Sequence, residues 1–272
     1  MCILFIYRNP DATAESYRLI IAANRDEYKK RPALPAHYWK NHPGCIGGVD
    51  MEPGKEGGTW LALSLKGKAG IILNLTNEEG VPDSPKQGRG SLITNYICSN
   101  VSTDAYLNKL HEENQNKQPY NPFCLILVDL YTSNVSYLDS PSKSRGPINC
   151  DDSILGFGNS GLDVPYKKVE AGKNQFETIV QSSNTMHQDE LINKILKLLK
   201  SKERHLPDPE LQRRCPTQCK EFSSIYVSIP EYGTRTHSIL LVDGSHKVTF
   251  VEETLMPNRK WQRQVFNSNL QK

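Results

Sequence analysis

The sequence predicts an α+β fold, with antiparallel sheets and helices segregated to their outer faces. Three observations carry this. Apolar runs come in hairpin pairs, residues 2–7 with 17–23 and 59–65 with 68–75. Helical periodicities arrive two at a time rather than alternating with single strands. The first strand begins at residue 2, so the chain's start is held by a sheet instead of fraying.

The elements follow in order. Cys2-Ile3-Leu4-Phe5-Ile6-Tyr7 is β-branched and aromatic, and Asn9-Pro10-Asp11 turns it into the run at 17–23. Residues 28–58 are dense in Pro, Gly and charge and read as one long irregular excursion. The second hairpin turns across Lys66-Gly67. Leu92, Ile93, Tyr96 and Ile97 recur at helical spacing, and Ser102-Thr103-Asp104 caps a helix carrying Tyr106, Leu107 and Leu110. Strands are expected at 123–130, 134–138 and 153–157, and helices at about 170–182 and 188–200. A polar segment at 201–220 leads to strands at 224–229, 236–242 and 247–252. The tail 259–272, with Trp261 and Phe266, reads as a short amphipathic piece packed on the domain.

Composition narrows the function. A chain of 272 residues suits one domain, 1–272, with a core large enough to need no staples. With 33 basic against 30 acidic residues and no basic ribbon, nucleic acid is excluded as a partner. Seven scattered cysteines point to reduced thiols and a cytoplasmic setting. Cys215-Pro216, a dipeptide that can ligate haem, sits in a polar loop and reads as chance. The seven histidines form no i, i+4 pair and no triad, so no metal site is expected. His237 falls in a strand and reads as structural. The first apolar run ends at Arg8, too short for a secretory core, and no run reaches membrane length.

Cys2 is the candidate nucleophile. An initiator Met followed by a residue this small is commonly removed, which leaves a free α-amine beside the thiol. An α-amine with pKa of about 7.7–8.0 can accept a thiol proton, so one residue would supply nucleophile and base. The plain alternative is a small apolar residue in a strand. After the second strand the chain turns abruptly charged, Asn24-Arg25-Asp26-Glu27. In a hairpin that end lies beside the start of strand one, which brings Arg25 and Asp26 to Cys2. A guanidinium favours thiolate and a carboxylate can hold an ammonium. The alternative is an exposed charged turn. Gly57-Gly58-Thr59-Trp60 offers either an apolar face to a ligand or a bulge with a core Trp, and both readings stay open.

Met1-Cys2-Ile3, Asn24-Arg25-Asp26-Glu27, Gly57-Gly58-Thr59-Trp60-Leu61, Leu75-Thr76-Asn77, Gly158-Asn159-Ser160 and Tyr232-Gly233-Thr234-Arg235-Thr236 occur in the order of the NRDE family. The chain resembles that family over essentially its whole length. The resemblance implies a four-layer αββα sandwich like that of N-terminal-nucleophile hydrolases. It further implies that Arg25 and Asp26 match the Arg and Asp of those enzymes, Asn159 the late Asn that polarises a carbonyl, and Arg235 the Arg that orients the nucleophile. Asn74 or Asn77 would supply another oxyanion contact, and Trp60 with Asn74 would line the substrate. In the hydrolases Arg and Asp stand further apart than in this quartet. Relatives of the resembled family are linked to Golgi organization, secretion, lipid balance and haem trafficking. That implies a cytoplasmic protein, associated with Golgi or mitochondria, binding an acyl lipid or haem and requiring no cofactor. The alternative is an amide or thioester hydrolase. The oligomeric state stays open.

Overall fold

A computed structural model describes residues 1–76, 86–140 and 145–271. The first hairpin is present as β1 (Ile3–Arg8) and β2 (Tyr17–Tyr28). Then come β3 (Ala33–Tyr38), β4 (Cys45–Asp50), β5 (Leu61–Ser64) and β6 (Lys68–Asn74). Helices α1 (Ser91–Ile97) and α2 (Thr103–Lys117) precede β7 (Phe123–Asp129), β8 (Val135–Asp139), β9 (Ile148–Cys150) and β10 (Ile154–Phe157). The helices α3 (Lys167–Gln181) and α4 (Gln188–Leu199) follow, then the short α5 (Pro209–Arg214) and α6 (Cys219–Phe222). The chain closes with β11 (Tyr232–Asp243), β12 (Lys247–Leu255) and β13 (Trp261–Asn269).

These elements form two compact units. The first, Met1–Lys30 with Asp152–Asn269, holds an antiparallel sheet in the order β10-β1-β2-β11-β12-β13. Its strands β1, β2 and β11 are buried on both faces, which is why they read as continuous apolar runs rather than alternating ones. Helices α3 and α4 cover one face. Phe5 and Ile20 of the sheet share a cluster with Phe176, Ile195 and Leu199 of the helices. Phe5 stacks on Phe176 with ring centroids 5.7 Å apart. Gly172 permits that approach: a Cβ there would lie 2.3 Å from the Phe5 ring.

The second unit holds the described residues of Arg31–Asn77 and Val81–Asp151 and the chain's last described residues. Its antiparallel sheet runs β3-β4-β5-β6-β7-β8-β9. Leu92, Ile93 and Ile97 of α1 and Leu107 and Leu110 of α2 pack with Leu125, Leu127 and Leu138 of the sheet. Among the described residues, no helix is long and apolar enough to cross a membrane.

Four expectations from local pattern give way. The 28–58 excursion contains β3 and β4, whose hydrogen bonds come from neighbours and need no apolar alternation. The 201–220 segment contains α5, capped by the Asp208 carboxylate on the Leu211 N–H at 2.9 Å. Residues 224–229 bury Ile225 and Val227 yet form no strand. Their amides bond instead to Ser201 O and the Thr234 hydroxyl. The tail is β13, an edge strand paired with β12 from Trp261 to Asn269.

Candidate functional site around Cys2

The geometry begins with register. Ile3 pairs with Asn24 across the hairpin, so residue 2 falls level with Arg25. β2 runs five residues beyond its expected end, to Tyr28, because β11 pairs along its whole length. The charged quartet therefore lies inside a strand: Asn24, Arg25 and Asp26 are all buried. The exposed-turn alternative is excluded.

Asn24 ties elements together. Its side-chain amide donates to Leu199 O at 2.8 Å and Ile225 O at 3.1 Å. Its carbonyl oxygen must then accept from His237 Nδ1 at 2.6 Å, which fixes the His tautomer. His237 is fully buried and stacks on Trp261 at 4.7 Å, and burial holds its pKa down at about 3.

Asp26 organises the site. Its backbone N–H donates to Cys2 Sγ at 3.4 Å, and the thiol faces the Asp26 carbonyl at 3.7 Å. One carboxylate oxygen accepts from the Thr234 hydroxyl at 2.7 Å. The other lies 3.4 Å from the chain's α-ammonium on Met1. That ammonium also donates to the Tyr232 hydroxyl, which donates to Asp26 O at 3.2 Å. Met1 is 6% exposed. Burial pushes the Cys2 thiol above its ordinary pKa, more than the N-terminal ammonium, the Asp26 N–H and the Arg25 guanidinium pull it down. The Asp26 carboxylate adds to the rise.

β11 reaches Asp26 through a bulge. Thr234 pairs with Asp26 and Thr236 with Arg25, which leaves Arg235 as the extra residue. Gly233 is required there: a Cβ would stand 2.4 Å from Val227 O. Arg235 is buried and donates to Tyr28 O at 3.0 Å. Arg25 lies 3.6 Å from the Glu27 carboxylate. Continuing the β1–β10 register past Leu4–Phe157 brings the buried Asn159 level with Cys2. Beside it, the Ser160 hydroxyl is buried without a hydrogen-bond partner among the described residues.

Trp60 and Asn74 belong to the second unit. Trp60 covers Gly48, where a Cβ would meet its ring at 2.2 Å. Gly58 packs against Gly90: a Cβ on Gly58 would lie 3.1 Å from the Gly90 Cα. Asn74 is exposed at the end of β6. Asn77 lies outside the described residues.

Sequence reasoning missed three residues at Cys2. Tyr232 and Thr234 lie in a motif from which only Arg235 was drawn. Lys168, fully buried in α3, donates to Met1 O at 3.2 Å and Ser224 O at 3.1 Å. Its signal is a lysine on the apolar stripe formed with Val169, Gly172, Phe176 and Val180. Among the described residues no group of three or more His, Cys, Asp or Glu gathers as a metal site.

The chain has relatives. The model of the family "Transport and Golgi organisation 2" matches residues 1–257. A Mus musculus protein, "Transport and Golgi organization 2 homolog", is 34% identical over 281 residues, covering all of both chains. The Drosophila melanogaster "Transport and Golgi organization protein 2" is 34% identical over 97% of this chain and 96% of its own. Among solved structures, a Caenorhabditis elegans N-acylethanolamine-hydrolyzing acid amidase ortholog superposes with a TM-score of 0.50 at 8% identity. That match covers 88% of this chain and 92% of the amidase. It shows the fold alone: α+β, built on two antiparallel sheets with helices, and N-terminal-nucleophile-hydrolase-like. By sequence, the chain belongs to the Transport and Golgi organisation 2 family.

Proposed function

We propose that this chain serves transport and Golgi organisation, as its relatives are named for, through a Cys2 site that cleaves an amide or thioester. The observation that carries the reading is the bracket around Cys2: its thiol and the α-ammonium of Met1, one residue before it, both meet Asp26 at the start of β1. With Met1 excised, the Cys2 α-amine would take the thiol proton, and the thiolate would attack the substrate carbonyl. Asn159, with a backbone N–H, would hold the oxyanion, a role worth about 2.7–4 kcal/mol per donor. The amine would return its proton to the leaving group, and water would then hydrolyse the acyl-Cys2 thioester. Arg25, Asp26 and Arg235 would orient the thiol and amine.

A second reading, a carrier of acyl lipid or haem, has its own observation. In a chain that keeps Met1, residue 2 has no free amine and its thiol is held protonated by burial. Intact-mass analysis of protein from native cells, joined to Cys2→Ala, separates the two. The hydrolase reading expects a Met-free mass and loss of at least 100-fold in thioester cleavage on substitution. It also expects iodoacetamide to label Cys2 ahead of the six other cysteines. A retained Met1, with saturable acyl-CoA or haem binding that survives Cys2→Ala, would favour the carrier.

A further inference from the structure

Lys168 stands in a place that stability alone does not recommend. It is fully buried, while its neighbour Lys167 is 53% exposed and paired with Glu170 at 2.9 Å. Burying an ammonium is costly. At the first turn of α3 the helix dipole opposes a cation as well. No carboxylate among the described residues comes within ion-pair distance of Lys168; two backbone carbonyls hold it, those of Met1 and Ser224. Burial pulls its pKa down, opposed chiefly by the negative charge of Asp26 and then by that of the Cys2 thiolate, Asp208 and Cys215.

We propose that Lys168 is a charge-setting residue of the Cys2 site, whose buried ammonium stabilises the ionised thiol and disfavours a second ammonium on residue 2. The first effect follows from proximity: Lys168 Nζ is bonded to the carbonyl of the peptide that joins residues 1 and 2, and a cation that close favours a thiolate. The second follows from covalent geometry. The Met1 carbonyl oxygen is about 2.3 Å from the nitrogen of residue 2, so Lys168 Nζ is within about 5.5 Å of the amine that excision of Met1 would create. Like charge at that range keeps the amine neutral, the form that accepts a proton. The other groups facing this junction are the Met1 α-ammonium while Met1 is present, Arg25 and Asp26 on β2, Tyr232 on β11, Asp208 before α5 and Cys215 after it. Among them Lys168 is the cation that bonds directly to the backbone joining residues 1 and 2.

The role of Lys168 rests on the hydrolase reading for its purpose but not for its measurement. The test is the pH dependence of Cys2 alkylation by iodoacetamide, read by peptide mass spectrometry on the full chain, in wild type, K168M, K168Q and K168R. K168M and K168Q should raise the alkylation midpoint by about one pH unit or more. The rate at pH 7 should fall about tenfold, and K168R should restore most of it. Labelling of Cys150, in the second unit, serves as the internal standard for an intact fold. Should the K168M and K168Q profiles overlay wild type, or should K168R shift as far as K168M, the charge role is overturned. If the midpoint shifts while no thioester or amide is turned over, Lys168 stands and the hydrolase reading falls. Turnover that depends on Cys2 with an unshifted midpoint gives the reverse.

Discussion

Two lysines of this protein are caged by backbone carbonyls, one in each unit, and they differ in what lies beyond the cage. Lys68, at the start of β6, donates to Ser99 O at 2.8 Å, Val101 O at 2.6 Å and Tyr96 O at 3.5 Å, with its ammonium 4.5 Å over the Tyr96 ring. Those carbonyls lie in the last turn of α1 and just beyond it, where a helix leaves acceptors unmet and welcomes a cation. Lys168 sits at the opposite, unfavourable end of its helix, on carbonyls beside a thiol. Burial lowers the pKa of both, so the shift alone does not tell them apart. What separates a staple from a working charge is a nucleophilic thiol next to it. Around Lys68 a cavity of about 370 Å³ is lined by Tyr96, Asp104, Asp129 and Tyr131, with no cysteine among its walls.

A third nitrogen base, fully buried, sharpens the contrast most, because His237 meets burial by staying neutral. Its folded pKa of about 3 lies below the unfolded value of 6.5, so below pH 6.5 the unfolded chain takes up a proton that the folded one refuses. Its contribution is level above pH 6.5 and is lost as pH falls toward 3, by a total on the order of 3–5 kcal/mol. Urea midpoints at pH 7 and pH 4.5 should show a steeper loss in wild type than in His237→Phe. Equal slopes would mean that His237 accepts its proton while folded.

Next in size is the staple itself. Lys68→Met should destabilise by about 2 kcal/mol, since it strips a charged donor from three carbonyls. Thermal unfolding reads that loss, and Cys2 alkylation should not move. A change in the Cys2 pH profile in this variant would break the distinction between the two lysines. The smallest effect belongs to an exposed pair on α4. Lys194 and Glu190 stand 2.7 Å apart at i, i+4, yet Lys194→Ala should leave the urea midpoint almost unchanged. A larger cost in urea titration would show that charge matters in this protein even where water screens it.

Much of the first unit was legible from residue order. The run from Cys2 and the one at 17–23 are apolar without interruption because both faces of β1 and β2 are buried, and that placed Arg25 and Asp26 beside residue 2 before any coordinates. α3 and α4 were equally plain, since their apolar stripes face one core. Edge strands were not. β13 pairs on one side only, so Gln262, Arg263, Asn267 and Asn269 are tolerated and the alternation signal vanishes. The run at 224–229 failed in the other direction: its apolar residues are buried, but their backbone groups bond to loops and a side chain. Lys168 was hidden because a lysine on an apolar stripe reads as an irregularity until its partners, 167 and 56 residues away, are seen.

The sequence by itself determined the hairpin that carries Cys2, the family to which the chain belongs, and the residue types available at the site. Those are properties of neighbours along the chain, set by periodicity and turn chemistry. The tertiary structure decided that the charged quartet is a buried strand, that a bulge sets Arg235 apart from its neighbours, and that a lysine from α3 reaches the first peptide of β1. Electrostatic partnership depends on distance through space and on exclusion of water, and the folded arrangement of β2, β11 and α3 supplies both.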